Sequence, residues 1–188
     1  WCPRCATGIS QHEIVTDGYA ELTHKGVTLR FPLRQKNGTP AEPGEALLIW
    51  TTTPWTLTSN VAAAVGPDLD YVKVRHGDEI FYLSKGTVGL LHGSYEVLDE
   101  FKGAEMEGWT YDGPFDELPA AQEPGGHTVL RDLVADVSES AAEAHRVILW
   151  DEVSEAEGTG IVHIAPGCGA EDYQLSREYG FPIMVPID

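Results

Sequence analysis

Positive charge is what this sequence lacks most. Its 188 residues carry 12 Lys and Arg against 30 Asp and Glu, a formal net charge of -18 at pH 7. A protein that grips a long stretch of nucleic acid presents a basic face to the phosphates, so this balance argues against broad phosphate contact. It does not exclude a pocket that takes only the end of a single strand. The shortage is uneven: residues 67–158 hold 21 acidic and 6 basic side chains, whereas residues 1–36 hold 3 and 5. Most of these carboxylates suit a solvated surface. Cysteine is also scarce, with three in the chain, too few for a disulfide scaffold. A reducing, cytoplasmic setting with no disulfide partner is therefore expected. No apolar run approaches the roughly 20 residues of a membrane helix, so no membrane partner is expected. No internal repeat and no low-complexity segment is present. The chain opens at Trp1 and Cys2 with neither an initiator Met nor a charged leader, which suggests a piece of a larger protein.

What remains is ordinary for one globular unit: 42% hydrophobic residues are enough for a core, and residues 1–188 are expected to form one domain. Short apolar stretches across 13–34, split by Gly18 and Gly26, predict strands. Residues 36–44 and 108–124 are rich in turn formers and predict loops. Apolar runs at 46–50, 95–101, 129–136 and 147–150 predict further strands, and residues 60–65 are apolar up to Gly66-Pro67. Residues 71–75 and 80–83 flank His76-Gly77-Asp78-Glu79 and predict a β-hairpin. Residues 85–91 predict a short helix, 158–166 a strand punctuated by glycine, and 170–179 a helix stopped by Gly180. Many short strands with few helices point to a mainly β fold, a barrel core with peripheral α-helices.

Three segments carry chemistry. Trp50-Thr51-Thr52-Thr53-Pro54-Trp55-Thr56 offers adjacent hydroxyls, each able to donate and accept. Neighbours on a strand alternate faces, so at most two of the three can enter one site, and Pro54 ends the strand. Trp55 supplies a flat wall for a small apolar group or a base. A plain β-former run ending in a turn accounts for the same residues. The second segment is Glu157-Gly158-Thr159-Gly160-Ile161-Val162-His163-Ile164-Ala165-Pro166. It sets His163 at a strand end, and Asp172 follows in the first turn of the next helix, where a carboxylate suits the helix dipole and can hold an ammonium. A core histidine and ordinary helix-start chemistry remain alternatives there. The third is Cys2-x-x-Cys5, half of a tetrahedral zinc site with no second pair in the chain. Its remaining ligands would have to come from elsewhere in a parent protein.

The threonine segment and the GTGIVHIAP segment, in this order, resemble the editing insertion of the class I synthetases for isoleucine, valine and leucine. The resemblance covers nearly the whole chain. Residues 1–5 are similar to the start of that insertion, residues 101–115 to its inter-strand linker, and residues 180–188 to its exit. His163 resembles the isoleucine branch, since the valine branch carries Lys and the leucine branch Met at that place. Thr58 departs from a usual proline, and Gly167-Cys168 stands where Ala-Phe is frequent, both beside the pocket.

The resemblance implies a closed six-stranded β-barrel-like core and hydrolysis of the aminoacyl ester of misacylated valyl-tRNA(Ile), with aminoacyl-adenylate hydrolysis as a further activity. It implies Asp172 on the α-ammonium and Thr51, Thr52 and Thr53 around the carbonyl, the ribose hydroxyls and the attacking water. Trp55 and His163 would bound the side chain, with Ala165 beside them and Asn60 toward the nucleotide. The implied partners are the 3′ end of the tRNA and the rest of the synthetase. No cofactor is expected for hydrolysis, while the parent is expected to use ATP and zinc. The alternatives are a valine-enzyme editing domain that removes threonine, a non-catalytic insertion that binds the tRNA end, and a zinc-binding module on Cys2 and Cys5.

Overall fold

The fold is organised around β3 (Glu45–Thr51), whose run of apolar residues is buried on both faces. Leu47 and Ile49 point into one core with Phe31, Tyr111, Ala63 and Ile161. Ala46 and Leu48 point the other way, into a core with Val72, Val74, Phe81 and Leu83. A strand covered on both sides has no polar face to alternate with, which is why its pattern reads as a continuous apolar stretch. Each buried Val, Leu, Ile or Phe among them contributes about 1.5–3 kcal/mol of burial free energy. The computed structural model describes residues 4–8, 23, 25–124 and 138–184.

Six strands close into a ring. β1 (Val27–Lys36) pairs antiparallel with β3 and with β8 (Thr110–Tyr111). β8 pairs with β9 (Arg146–Leu149), and β9 runs parallel to β4 (Ala62–Val65). β4 pairs antiparallel with β10 (Ile161–Ile164), and β10 returns to β3 in parallel. The fold is thus mainly β with a closed six-stranded barrel. A short strand, β2 (Thr39–Pro40), folds back on the end of β1.

A three-stranded extension leaves the barrel through β3. β6 (Glu79–Ser84) pairs parallel with residues 45–47, the first half of β3, while β10 meets the same edge at Trp50. β5 (Asp70–His76) and β7 (Glu96–Lys102) complete the extension. The Tyr71 hydroxyl ties the two bodies, donating to the Gly160 carbonyl at 2.6 Å and accepting from the Gly66 amide at 3.0 Å.

β4 is Ala62-Ala63-Ala64-Val65, and every residue is buried. Ala63 and Val65 face the barrel. Ala62 and Ala64 face a second layer that includes Leu175 and Phe181. Small side chains let the helix layer approach closely. That layer holds α1 (Pro119–Gln122), α2 (Ala141–Ala144) and α3 (Ala170–Tyr179). Gly180 ends α3 with φ 72, and the Phe181 amide closes on the Ser176 carbonyl at 2.9 Å. Among the described residues no helix is long and apolar enough to cross a membrane.

The hairpin expected at 71–83 is β5–β6, with Gly77 at φ 63 in its tight turn. Residues 85–91 form a 3-10 turn, Lys85–Leu90, rather than an α-helix. The loops expected at 36–44 and 108–124 contain β2, β8 and α1. β8 was hidden because its two residues pair only across the barrel, where Tyr111 is buried. The strands expected at 13–22 and 129–136 lie outside the described residues, as does Cys2.

Candidate active site

The hydroxyls are gathered by a change of backbone at Pro54. β3 ends at Thr51, and residues 54–59 form a 3-10 turn with the proline at its start, where a missing amide proton costs nothing. The turn brings residues three apart onto one face. Thr51 Oγ1 accepts the Thr53 amide at 3.1 Å and lies 3.3 Å from Thr53 Oγ1. Thr53 Oγ1 lies 3.4 Å from Thr56 Oγ1. Thr51, Thr53 and Thr56 therefore form a row.

His163 closes that row from β10. The Thr56 hydroxyl donates its proton to the Thr53 carbonyl at 2.8 Å and lies 3.0 Å from His163 Nε2. Its proton being spent, the hydroxyl can only accept from the ring, so His163 carries its proton on Nε2. Nδ1 is left as a bare acceptor, buried and without a partner among the described residues. Burial also lowers the His163 pKa to about 4. The ring is thus neutral at pH 7.

Asp172 arrives from α3. Its place in the first turn suits the helix dipole. Its Oδ2 accepts the Ala165 amide at 3.0 Å, which pins the start of α3 to the end of β10. Gly169 leaves room, since a β-carbon there would stand 3.1 Å from the carboxylate. Burial pushes the Asp172 pKa up, the Ala165 amide partly offsets this, and Glu171 raises it further. An ionised Asp172 is therefore short of positive charge.

Thr51, Thr52, Thr53, Trp55, Thr56, His163 and Asp172 all line one cavity of about 640 Å³. Two expected residues do not. Asn60 is buried in the barrel, where it donates to the Ala62 carbonyl at 2.9 Å and accepts from the Tyr111 hydroxyl at 2.8 Å. Both ends of its amide are committed, because the chain has already turned inward after residue 59. Ala165 is 1% exposed and acts through its backbone amide. Trp50 and Thr56 stood in the sequence only as the ends of the threonine segment, with no role assigned, and Trp150 did not stand out at all, though all three line the cavity. Thr56 was legible in principle, three residues after Thr53 behind a proline. Trp150 was not, because only the turn after β9 brings it there.

The lining includes Glu152, Glu157, Glu171 and Asp172 but no Lys or Arg. Among the described residues, no group of three or more His, Cys, Asp or Glu is arranged to hold a metal ion. Cys5 is exposed and unbridged. Chemically, the cavity offers hydroxyls that can orient a carbonyl or water, a carboxylate for an ammonium, and flat apolar walls.

No family model matches the chain. Among curated proteins it is 41% identical over 189 residues to an isoleucine–tRNA ligase of Thermobifida fusca, covering 100% of this chain and 16% of that protein. It is 40% identical over 197 residues to the Pyrococcus horikoshii isoleucine–tRNA ligase, covering 100% and 17%. The Thermus thermophilus isoleucine–tRNA ligase gives 41% over 189 residues, covering 100% and 16%. The chain thus spans about a sixth of the length of these relatives. In fold it is similar to the leucyl-tRNA synthetase CP1 domain GlLeuRS-CP1, with a TM-score of 0.58 at 16% identity over 83% of this chain and 65% of that one. Full-length homology to the ligases and the barrel shared with the CP1 domain agree: the chain belongs to the isoleucyl-tRNA synthetase family and has the fold of a CP1 domain.

Proposed function

We propose that the chain hydrolyses the aminoacyl ester of misacylated tRNA, with valyl-tRNA(Ile) as its substrate. The observation that carries this is the meeting of the threonine row and Asp172 in one cavity. An aminoacyl ester has two polar handles a fixed distance apart, an α-ammonium and a carbonyl, and the cavity has a partner for each. Asp172 takes the ammonium as a charge-assisted pair. The row of hydroxyls orients the carbonyl and the attacking water. The ester is already activated, so positioning and charge complementarity do most of the catalysis.

His163 serves as a wall rather than as the base. Its Nε2 proton is committed to Thr56, and its Nδ1 is closed to solvent. Together with Trp55 it limits the side chain by bulk. Such a second sieve is needed because one methylene yields only about 1–3 kcal/mol of discrimination, a limit for which isoleucine against valine is the standard illustration. The partners in this reading are the tRNA 3′ end and the remainder of a cytoplasmic ligase, which would supply the ATP chemistry and any zinc. The hydrolysis itself uses no cofactor.

The test compares valyl-tRNA(Ile) and isoleucyl-tRNA(Ile) incubated with the chain. Valyl ester is expected to be cleaved at least tenfold faster. Equal inertness toward both overturns the reading.

A further inference from the structure

One wall of the cavity is a loop. Ser154, Glu157, Thr159 and Gly160, all between β9 and β10, line it. The three-stranded extension fastens this loop from behind. Resting on the deacylase reading, we propose that Tyr71 is a positioning residue for the hydrolysis: its hydroxyl sets where the loop wall stands relative to the threonine row and Asp172.

The fastening has three points. The Ser84 amide, at the end of β6, donates to the Thr159 carbonyl at 2.9 Å. The Tyr71 hydroxyl, on β5, donates to the Gly160 carbonyl at 2.6 Å. The Gly86 amide, just past β6, donates to Glu155 Oε1 at 3.0 Å. Gly160 is pressed onto the extension, since a β-carbon there would stand 2.4 Å from Ser84 Cβ. Gly158 and Gly160 both have φ 72, a conformation that favours glycine. A loop with two such residues has little stiffness of its own, so its place is set by what holds it.

Tyr71 is the point that also reaches the barrel. β4 and β10 pair as far as Val65 and Ile161. One step further, the same register would set Gly66 against Gly160. The hydroxyl stands between those two, accepting from the Gly66 amide at 3.0 Å while it donates to the Gly160 carbonyl. It therefore fixes the spacing at which β10 begins, three residues before His163. The ring cannot follow a moving loop: Tyr71 is fully buried, and a β-carbon at Gly103 would stand 2.8 Å from its Cε2. Burial raises the pKa of the hydroxyl, so the donated proton stays in place. Tyr71 itself does not line the cavity, so it acts only through the wall.

The experiment compares Tyr71→Phe with the unaltered chain, by steady-state hydrolysis of valyl-tRNA(Ile) and by amide hydrogen exchange. A wall set loose weakens ground state and transition state alike. KM is therefore expected to rise at least about fivefold, with kcat changed by less than about twofold. Amides of residues 159–162 are expected to exchange at least about tenfold faster, while those of β1 keep their rates. A hydroxyl that served stability alone would lower the folded fraction, which reduces kcat at unchanged KM and speeds exchange in β1 as well. That pattern overturns the proposal, and so does the absence of any change. If Tyr71→Phe does not fold, Glu155→Ala decides at the exposed end of the fastening: KM should rise at least about twofold, and an unchanged KM overturns the proposal. An unaltered chain that cleaves no ester sinks the deacylase reading, and the exchange pattern alone then decides whether Tyr71 holds the wall.

Discussion

His163 and Asp172 each keep an unsettled charge balance in the cavity. Burial holds His163 at about 4 against 6.5 for a free imidazole. Its folded value is depressed, so its contribution to stability is fully present above pH 6.5 and is lost as pH falls toward 4. In that window the unfolded chain binds a proton that the folded ring refuses. The loss is on the order of 3 kcal/mol. Urea midpoints at pH 7 and pH 4.5 should therefore differ more for the unaltered chain than for His163→Leu. Equal differences would show that the ring is not buried neutral. Asp172 lies on the opposite side of the ledger, since its folded pKa is raised. At pH 7 its ionised form costs stability that an ammonium ligand would restore. Asp172→Asn is therefore expected to unfold at no lower temperature than the unaltered chain while losing hydrolysis of valyl-tRNA by about 100-fold or more. A melting temperature several degrees lower would mean that the carboxylate is there for the fold.

Elements show how much of this was legible beforehand. α3 and its glycine stop were readable to the residue, because helix period, dipole and C-cap chemistry are all local. The β5–β6 hairpin was equally local. The closure of the barrel was not, because the β1–β3 and β4–β10 registers join segments with no shared local signal. In the same way the threonine segment and the His163 segment were legible separately, while their 3.0 Å meeting through Thr56 was not. Glu45 was missed altogether. It begins β3 with its carboxylate fully buried, 2.6 Å from both Lys36 and Lys73, and it accepts the Tyr82 hydroxyl at 2.9 Å. Burial alone would raise its pKa, but the bonds from Lys36, Lys73, Tyr82 and the Glu42 amide outweigh it and bring it down to about 2. Its stabilisation is therefore present above about pH 4.5 and lost as pH falls toward 2. Removing one partner of such a cluster leaves uncompensated buried charge, so Glu45→Ala should destabilise the chain by about 3–5 kcal/mol. Because Glu45 sits at the far end of β3 from the threonines, KM in the folded fraction should not move. Chemical denaturation and steady-state kinetics on the same variant check both parts.

At the scale of the whole molecule, the charge of -18 and the acidic cavity set an unusual salt dependence. Most proteins that bind nucleic acid lose affinity as salt rises, because they release counterions from the phosphates. Here a polyanion approaches a polyanion and few basic residues are available to neutralise phosphate. Raising KCl from about 20 to 200 mM screens that repulsion, so KM for valyl-tRNA should fall. A KM that rises steeply with salt would place a basic tRNA-binding surface on this chain.

β10 has one more consequence, which concerns time. It lies between β3 and β4, strands that the threonine turn joins directly, and it comes from near the end of the chain. While the polypeptide is being made, some hundred residues pass between the appearance of β4 and that of its neighbour. Until then the space between β3 and β4 is an unfilled slot with exposed backbone on either side. The hydroxyl row is synthesised early, but His163 and Asp172 follow only with β10 and α3. A nascent or truncated chain consequently has the hydroxyls without His163 and Asp172, and the selection proposed above requires the strand that completes the barrel to have taken its place.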